Sequence, residues 1–296
     1  MMLAASTSIV WAFAFPLIKL GIGEWGIAPD DTGAKTLFAG VRFLSAGLVV
    51  LCLRFISKKE NAPTAAYKPL WGAFLLGLVN TALHYFCYYI GLSNQSGSRS
   101  AVIDSLGSFL LIIAACAVFR DERMTARKAC GCILGFSGIL LVNIGGGAGG
   151  SFTLLGDGML MLSACFSALG GIITKLVTKR LDAMLATGIS LGFGGLLLCI
   201  FGALLRGRLD RPTALGAFIL CCLVAISTYG FSVYNKLISC NPVGKIAIFN
   251  SLIPILGVTF SCLLLGEPFR LRYLAAGLCV SAGIFVINID KQGVKK

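Results

Sequence analysis

The chain has 296 residues, of which 57% are hydrophobic and only 12% charged, and its mean hydropathy is +0.90. A soluble domain carries roughly a quarter charged residues, so this chain lacks the polar groups to cover a water-facing surface and requires a lipid solvent. Its net charge of +13 does not point to nucleic acid, because the basic residues sit in short clusters between apolar runs and no nucleic-acid-binding motif accompanies them.

A spanning helix needs roughly 20 mostly apolar residues. Runs of that kind predict ten spans. The first, 3–22, holds Pro16 and Lys19. It has no basic leader region or small-x-small cleavage site, so it is expected to be a retained helix. The second, 36–56, carries Arg42 a turn or two inside, read as an anchor or ion-pair partner. The third, 69–92, holds the single histidine, His84, on one face with Thr81, Tyr88 and Gly91. The fourth, 98–119, places Ser100, Asp104, Gly107 and Ser108 on one face. The fifth, 127–146, repeats Gly131, Gly135 and Gly138 at a spacing that lets helices approach closely. A flexible joint, Gly145 to Gly150, follows. The sixth, 156–178, carries Ser163, Ser167, Gly171 and, near its end, Lys175. The seventh and eighth cover 184–205 and 213–238, the latter with Tyr234 and Asn235. The ninth, 243–265, lines Asn250, Pro254 and Gly257 along one face, and the tenth covers 270–290. The loops are too short for a separate soluble domain.

Lys and Arg in the loops set orientation. With the N-terminus inside, the inner loops and tail hold about twice as many as the outer loops. The inner set includes Arg54, Lys58, Lys59, the 120–128 cluster, Lys291, Lys295 and Lys296. Both termini are therefore expected in the cytoplasm, against the outer loop with Arg206, Arg208 and Arg211. The 12 cysteines lie mostly within apolar runs and lack zinc-site spacing, so neither a metal nor a disulfide framework is expected. No cofactor motif stands in a supporting context; Gly21-x-Gly23-x-x-Gly26 follows a membrane helix rather than opening a βαβ unit.

Charges inside spans are costly and suggest function. A carboxylate at Asp104 is hard to ionise away from water unless a cation stands near, which suits a proton-coupled site. The alternatives are a structural pair with Lys or Arg, or a position near the outer interface. His84 is either a packing histidine or a cavity-lining group, and Tyr88 lies in an aromatic run that lines a cavity or forms an interfacial belt. Lys19 could bind a substrate carboxylate, pair with Asp104, or snorkel to the surface. Asn250, followed by the break expected at Pro254, fits a binding site at mid-depth, or polar packing between helices. Ser108 shares the Asp104 face, and Tyr234 is a weaker candidate.

The halves also resemble each other. Shifted by 146, the fourth span meets the ninth: Ala101 falls on Ala247, Asp104 on Asn250, Ser105-Leu106 on Ser251-Leu252, Arg99 on Lys245 and Asp121 on Glu267. Five spans per copy is an odd number, so the second copy lies inverted, as in secondary transporters.

The order of these motifs resembles the drug/metabolite transporter superfamily, EamA-type branch. The resemblance rests on Trp11-Ala-Phe-Ala-Phe-Pro16-Leu-Ile-Lys19, on Phe38-Ala-Gly-Val-Arg42-Phe-Leu, and on the acidic residue, turn and Gly-rich helix that close each half. Ser108 stands where the family usually has Pro in the fourth span, whereas Pro254 keeps it in the ninth. The resemblance implies an all-α integral membrane protein of ten transmembrane helices, with two inverted five-helix repeats, 1–146 and 147–296, around a central cavity. It implies secondary transport of a small organic solute by alternating access, with export the expected direction and a proton the candidate coupling ion. The cell membrane is the expected location. An intramembrane enzyme acting on a lipid-linked substrate and a passive channel are the competing readings.

Overall fold

The computed structural model describes residues 2–56, 67–120, 122–143, 152–209, 213–241, 246 and 248–288. The joint at 145–150, Asp121, Lys245 and the basic residues Lys58, Lys59, Arg211, Lys291, Lys295 and Lys296 lie outside the described residues. Among those described, the secondary structure is helical throughout. Helix α1 is Met2–Glu24 and runs through Pro16; α2 is Thr32–Ile56. Helix α3 comprises Tyr67–Leu76, a π-helical segment Gly77–Leu83, and His84–Ser93. Helix α4 comprises Gly97–Asp104 and Leu106–Val118, separated at Ser105, and α5 is Ala126–Asn143. Helix α6 opens with a π-helical turn, Leu154–Gly158, and continues as Met159–Val177. Helices α7 and α8 are Ala183–Leu204 and Ala214–Cys240. Helix α9 begins as the 3-10 segment Ile248–Ser251, becomes α-helical over Leu252–Leu265, and is followed by α10, Leu271–Asn288.

Seven of these, α1 to α4 and α6 to α8, are long and apolar enough to cross a membrane. Apolar parts of α9 and α10 are shorter, and α5 starts on Arg127 and Lys128. Large side chains such as Phe55, Trp71, Leu204 and Leu263 point away from the bundle, each more than 70% exposed. A water-soluble surface does not carry such a display, whereas lipid tails solvate it. The chain is a multi-pass integral membrane protein.

The packing has the symmetry of two inverted repeats. Helix α2 packs along α7, and α5 along α10. Helix α1 packs on α8 and α9, and α6 packs on α3 and α4. Adding or subtracting five in the helix number maps the α1 contacts onto the α6 contacts and each of the α2–α7 and α5–α10 pairs onto itself. The self-paired helices meet nearly backbone to backbone. A Cβ on Gly40 would stand 2.5 Å from the Cys199 nitrogen, one on Gly33 2.7 Å from the Gly207 nitrogen, and one on Gly47 would collide with the Gly192 backbone. At the α5–α10 seam, a Cβ on Gly131 would lie 2.6 Å from the Gly283 carbonyl. Small residues are what lipid-embedded helices use to gain close van der Waals contact without a hydrophobic driving force.

With ten crossings, Met2 and Asn288 lie on one face, hereafter the termini face. The opposite face carries a saturated polar network. Arg99 at the start of α4 pairs with Asp157 of α6 at 2.7 Å, with both side chains at most 1% exposed. Asp157 also accepts from Gln95 Nε2 at 2.9 Å and from the Thr153 amide at 2.8 Å. Glu267 caps α4 by accepting from the Gly97 and Ser98 amides at 2.6 and 3.0 Å and from Ser98 Oγ at 2.7 Å. A carboxylate here meets the positive end of the α4 dipole as well as its unpaired amides. On the termini face, Glu122 bridges Lys175 and Lys128, and Arg54 pairs with Asp182.

Candidate substrate cavity

A cavity of about 120 Å³ lies between the two repeats. Helices α1, α2, α3 and α4 contribute from the first half, and α6, α8 and α9 from the second. Its walls include Asp104, His84, Tyr88, Ser108, Tyr234 and Asn250. The remaining sequence candidates, Lys19 and Pro254, are elsewhere. Lys19 sits near the opposite face, where its Nζ donates to the Gln95 carbonyl at 2.5 Å rather than reaching Asp104. Pro254 is buried one turn beyond Asn250, and its carbonyl lies against Gly277 of α10.

Local backbone irregularity builds the site. Asp104 is the last residue before the break in α4, and Asn250 lies in the 3-10 turn that opens α9. The residues that follow them, Ser105 and Ser251, have nearly the same backbone angles (φ −62°, ψ −14° and φ −62°, ψ −20°). The two repeats therefore interrupt the same helix at the same place. The break lies three residues before Pro254, not at the proline as the sequence suggested. Pro254 is the third residue of the α-helical segment, where its missing amide hydrogen costs nothing because the first four amides have no intrahelical acceptor.

In α3, the π-helical segment carries Asn80, and His84 follows it directly. Such single-turn expansions are frequent at functional sites. His84 is buried, places Nδ1 3.2 Å from the Asn80 carbonyl, and stacks on Tyr85 with ring centroids 4.3 Å apart. The Asn80 side chain occupies the space a Cβ on Gly170 would take. Tyr88 sits 5.8 Å from the Phe15 ring, and Trp11 meets Tyr234 edge-on at 4.7 Å. Cavity-facing aromatic contacts from α1, α3 and α8 thus supply the apolar wall.

Polar groups close the repeat interface. Asn250 Nδ2 donates to Ser108 Oγ at 3.4 Å and to the Tyr234 hydroxyl at 3.3 Å, joining α9, α4 and α8. Its Oδ1 is buried without a partner, and so is Trp11 Nε1. Asp104 is half-buried, and no hydrogen bond or ion pair reaches its carboxylate among the described residues.

The sequence reading left Arg42 out of the site. Its side chain is 2% exposed and borders the cavity. Nε donates to Ser227 Oγ at 2.8 Å and to the Leu223 carbonyl at 3.3 Å, Nη1 donates to the Tyr89 hydroxyl at 3.0 Å, and the guanidinium lies 4.8 Å from the Phe43 ring centroid. No carboxylate pairs with it among the described residues. The available signal was depth. Helix α2 begins at Thr32, four residues before the expected start of the span, so Arg42 lies roughly 15 Å along the helix rather than near its end.

Comparison with known proteins agrees with this architecture. A solved crystal structure superposes with a TM-score of 0.69 at 14% identity, covering 97% of this chain and 96% of the other, which shows the shared fold. The transporter YvbV of Bacillus subtilis is 26% identical, covering 99% of this chain and 93% of the relative. A protein of Salmonella typhimurium named as a probable amino-acid metabolite efflux pump is 25% identical, covering 96% and 93%. The model of the EamA-like transporter family matches residues 1–144 and 154–289. With matches that span most of its length and the ten-helix inverted-repeat fold around a shared cavity, the chain belongs to the EamA-like transporter family.

Proposed function

We propose that the protein exports small organic metabolites across the cell membrane by alternating access through the central cavity. The observation that carries this reading is a cavity walled by both repeats, with a carboxylate, Asp104, that has no partner among the described residues beside the break in α4. Residues 1–146 and 147–296 act as the two moving halves, and both termini face the cytoplasm. The Salmonella relative, by its name an efflux pump for amino-acid metabolites, supports export of a small solute. Asp104 acts as the proton carrier: a carboxylate with no fixed cation can exchange a proton with whichever side the cavity faces, and a proton bound there is released when the halves rock. Asn250, Ser108 and Tyr234 hold the substrate's polar groups, and Tyr88 and His84 line its apolar side.

The test is uptake into proteoliposomes of amino acids, nucleosides, sugars and amines, with and without an imposed pH gradient. Gradient-driven, saturable uptake by the wild type that is lost in Asp104→Asn is the expected result. Uptake indifferent to both gradient and mutation removes the proton from the mechanism.

A further inference from the structure

The two repeats build one corner of positive charge on the termini face. In the first repeat, the chain leaves α4 at Val118, turns back where the Glu122 amide donates to the Phe119 carbonyl at 3.0 Å, and enters α5 at Ala126. Arg120, Arg123 and Arg127 stand exposed along this turn. In the second repeat, α6 ends at Val177 and exposed Lys179 and Arg180 follow at once. The two stretches are distant in sequence, with Glu122 and Lys175 53 residues apart, and they meet at Phe119. Lys175 Nζ lies 4.9 Å and Lys179 Nζ 5.4 Å from the Phe119 ring centroid, and Glu122 bridges Lys175 at 3.3 Å and Lys128 at 3.7 Å. The sequence supplies two acids here, Asp121 and Glu122, and the nearby Asp182 pairs with Arg54. The basic residues outnumber the acids severalfold.

Inverted symmetry provides a control. The corresponding corner on the opposite face is formed by residues 266–274, at a shift of 146, and by residues 19–24, at a shift of 156. There Arg120, Arg123 and Lys128 are replaced by Gly266, Phe269 and Leu274, and Lys179 and Arg180 by Gly23 and Glu24. Arg270 and Arg272 stand in the places of Met124 and Ala126, and Lys19 in that of Lys175. The fold therefore makes this corner without concentrating cations in it. A general bias of basic residues toward one side of the membrane charges the loops, but it does not bring two separate loops to one spot. Val118, Met124 and Leu176, exposed by 52%, 46% and 46%, interleave with the cations. Their apolar surface belongs against lipid tails, so the cations beside them stand at headgroup level.

We propose that this corner binds an anionic phospholipid, with its phosphate among Arg120, Arg123 and Lys179 and its acyl chains along Val118 and Leu176. Guanidinium groups match phosphate oxygens in pairs, and basic pockets between membrane helices hold such headgroups. One lipid there ties the first repeat to the second. On the orientation proposed above, the corner faces the cytoplasmic leaflet, whose surface is negative. The site is separate from the cavity, and the proposal does not depend on which solute is carried.

The experiment titrates the purified full chain in detergent with phosphatidylglycerol. Phosphatidylcholine is the zwitterionic control, and inorganic phosphate and glycerol 3-phosphate present the headgroup chemistry without tails. Bound lipid is counted by native mass spectrometry and the melting temperature is followed in parallel. Phosphatidylglycerol is expected to be retained preferentially and to raise the melting temperature more than phosphatidylcholine does. The triple variant Arg120→Gln/Arg123→Gln/Lys179→Gln is expected to bind it about tenfold or more weakly, since each basic residue beside an anionic surface contributes severalfold. Arg206→Gln/Arg208→Gln/Arg270→Gln removes the same charge from the opposite face and is expected to keep wild-type binding. In the wild type, phosphatidylglycerol carrying a diazirine on its acyl chain is expected to crosslink to the ends of α4 and α6. Equal retention of the two lipids, or an equal loss in both triple variants, overturns the proposal. So does stabilisation by inorganic phosphate or glycerol 3-phosphate that matches the lipid, which makes the corner a site for soluble phosphate. Crosslinks confined to other helices overturn it without any variant, so a triple variant that fails to fold does not blunt the test.

Discussion

The opposite face and the central cavity contain the same kinds of side chain and treat them in opposite ways. At the opposite face, Asp157 accepts from Arg99, Gln95 and Thr153, and Glu267 accepts from two amides and a hydroxyl. In the cavity, among the described residues, Asp104 has no donor and Arg42 no carboxylate. The first arrangement satisfies its charges within the protein, so removing one partner is costly; on the proposed reading the second leaves its charges available to a solute. A residue type alone therefore says little about role in this bundle, whereas its partners say a great deal.

The contrast can be broken most severely at the Arg99–Asp157 pair. Asp157→Ala leaves a buried guanidinium short of its main partner and is expected to cost about 3–5 kcal/mol, read from unfolding in detergent; a shift below 1 kcal/mol would show the network to be slack. At Asp104 the expectation reverses. Asp104→Asn should lower gradient-driven uptake at least tenfold, about 1.4 kcal/mol or more in rate terms, with the melting temperature unchanged or raised, since removing an unpaired buried charge relieves desolvation. A large fall in melting temperature would mean that Asp104 has a structural partner after all. Glu267→Ala, which strips the α4 cap, should cost about 1–2 kcal/mol, with a smaller loss for Glu267→Gln. The weakest test is Arg54→Ala on the termini face, where the side chains of the pair are 18% and 27% exposed; a change within about 1 kcal/mol is expected there.

Much of the fold was legible in the sequence because hydropathy over 20 residues is a strong signal, and the odd number of spans per copy required an inverted repeat. The shift of 146 aligned Ser105 with Ser251, where the structure interrupts both helices, but the break itself was expected at Pro254. A proline in the first turn of a helix looks like a breaker in sequence and is harmless in structure. Asp104, His84, Tyr88, Ser108, Tyr234 and Asn250 stood out in the sequence as polar groups inside spans, each with a packing or interfacial reading beside the functional one, and the structure places them along the cavity. Arg42 was not, since misplacing the start of α2 by four residues turned a mid-helix charge into an apparent anchor. Lys19 could not be read either: whether a lysine near a helix end meets a substrate, an acid or a carbonyl depends on a loop from another part of the chain, here Gln95. The same limit hid Trp11 and Asn80, whose relevance lies in what surrounds them.

The glycine seams have a mechanical consequence. At Gly40, Gly47 and Gly33 of α2 the main chain comes close to the backbone of Cys199, Gly192 and Gly207 in and just after α7. Surfaces of that kind have few rotamers to unlock and few interdigitated knobs to lift over one another, so they can slide like a plain bearing. Each seam joins one helix from either repeat, so under the alternating access proposed above the pair of seams would be the axle on which the halves turn.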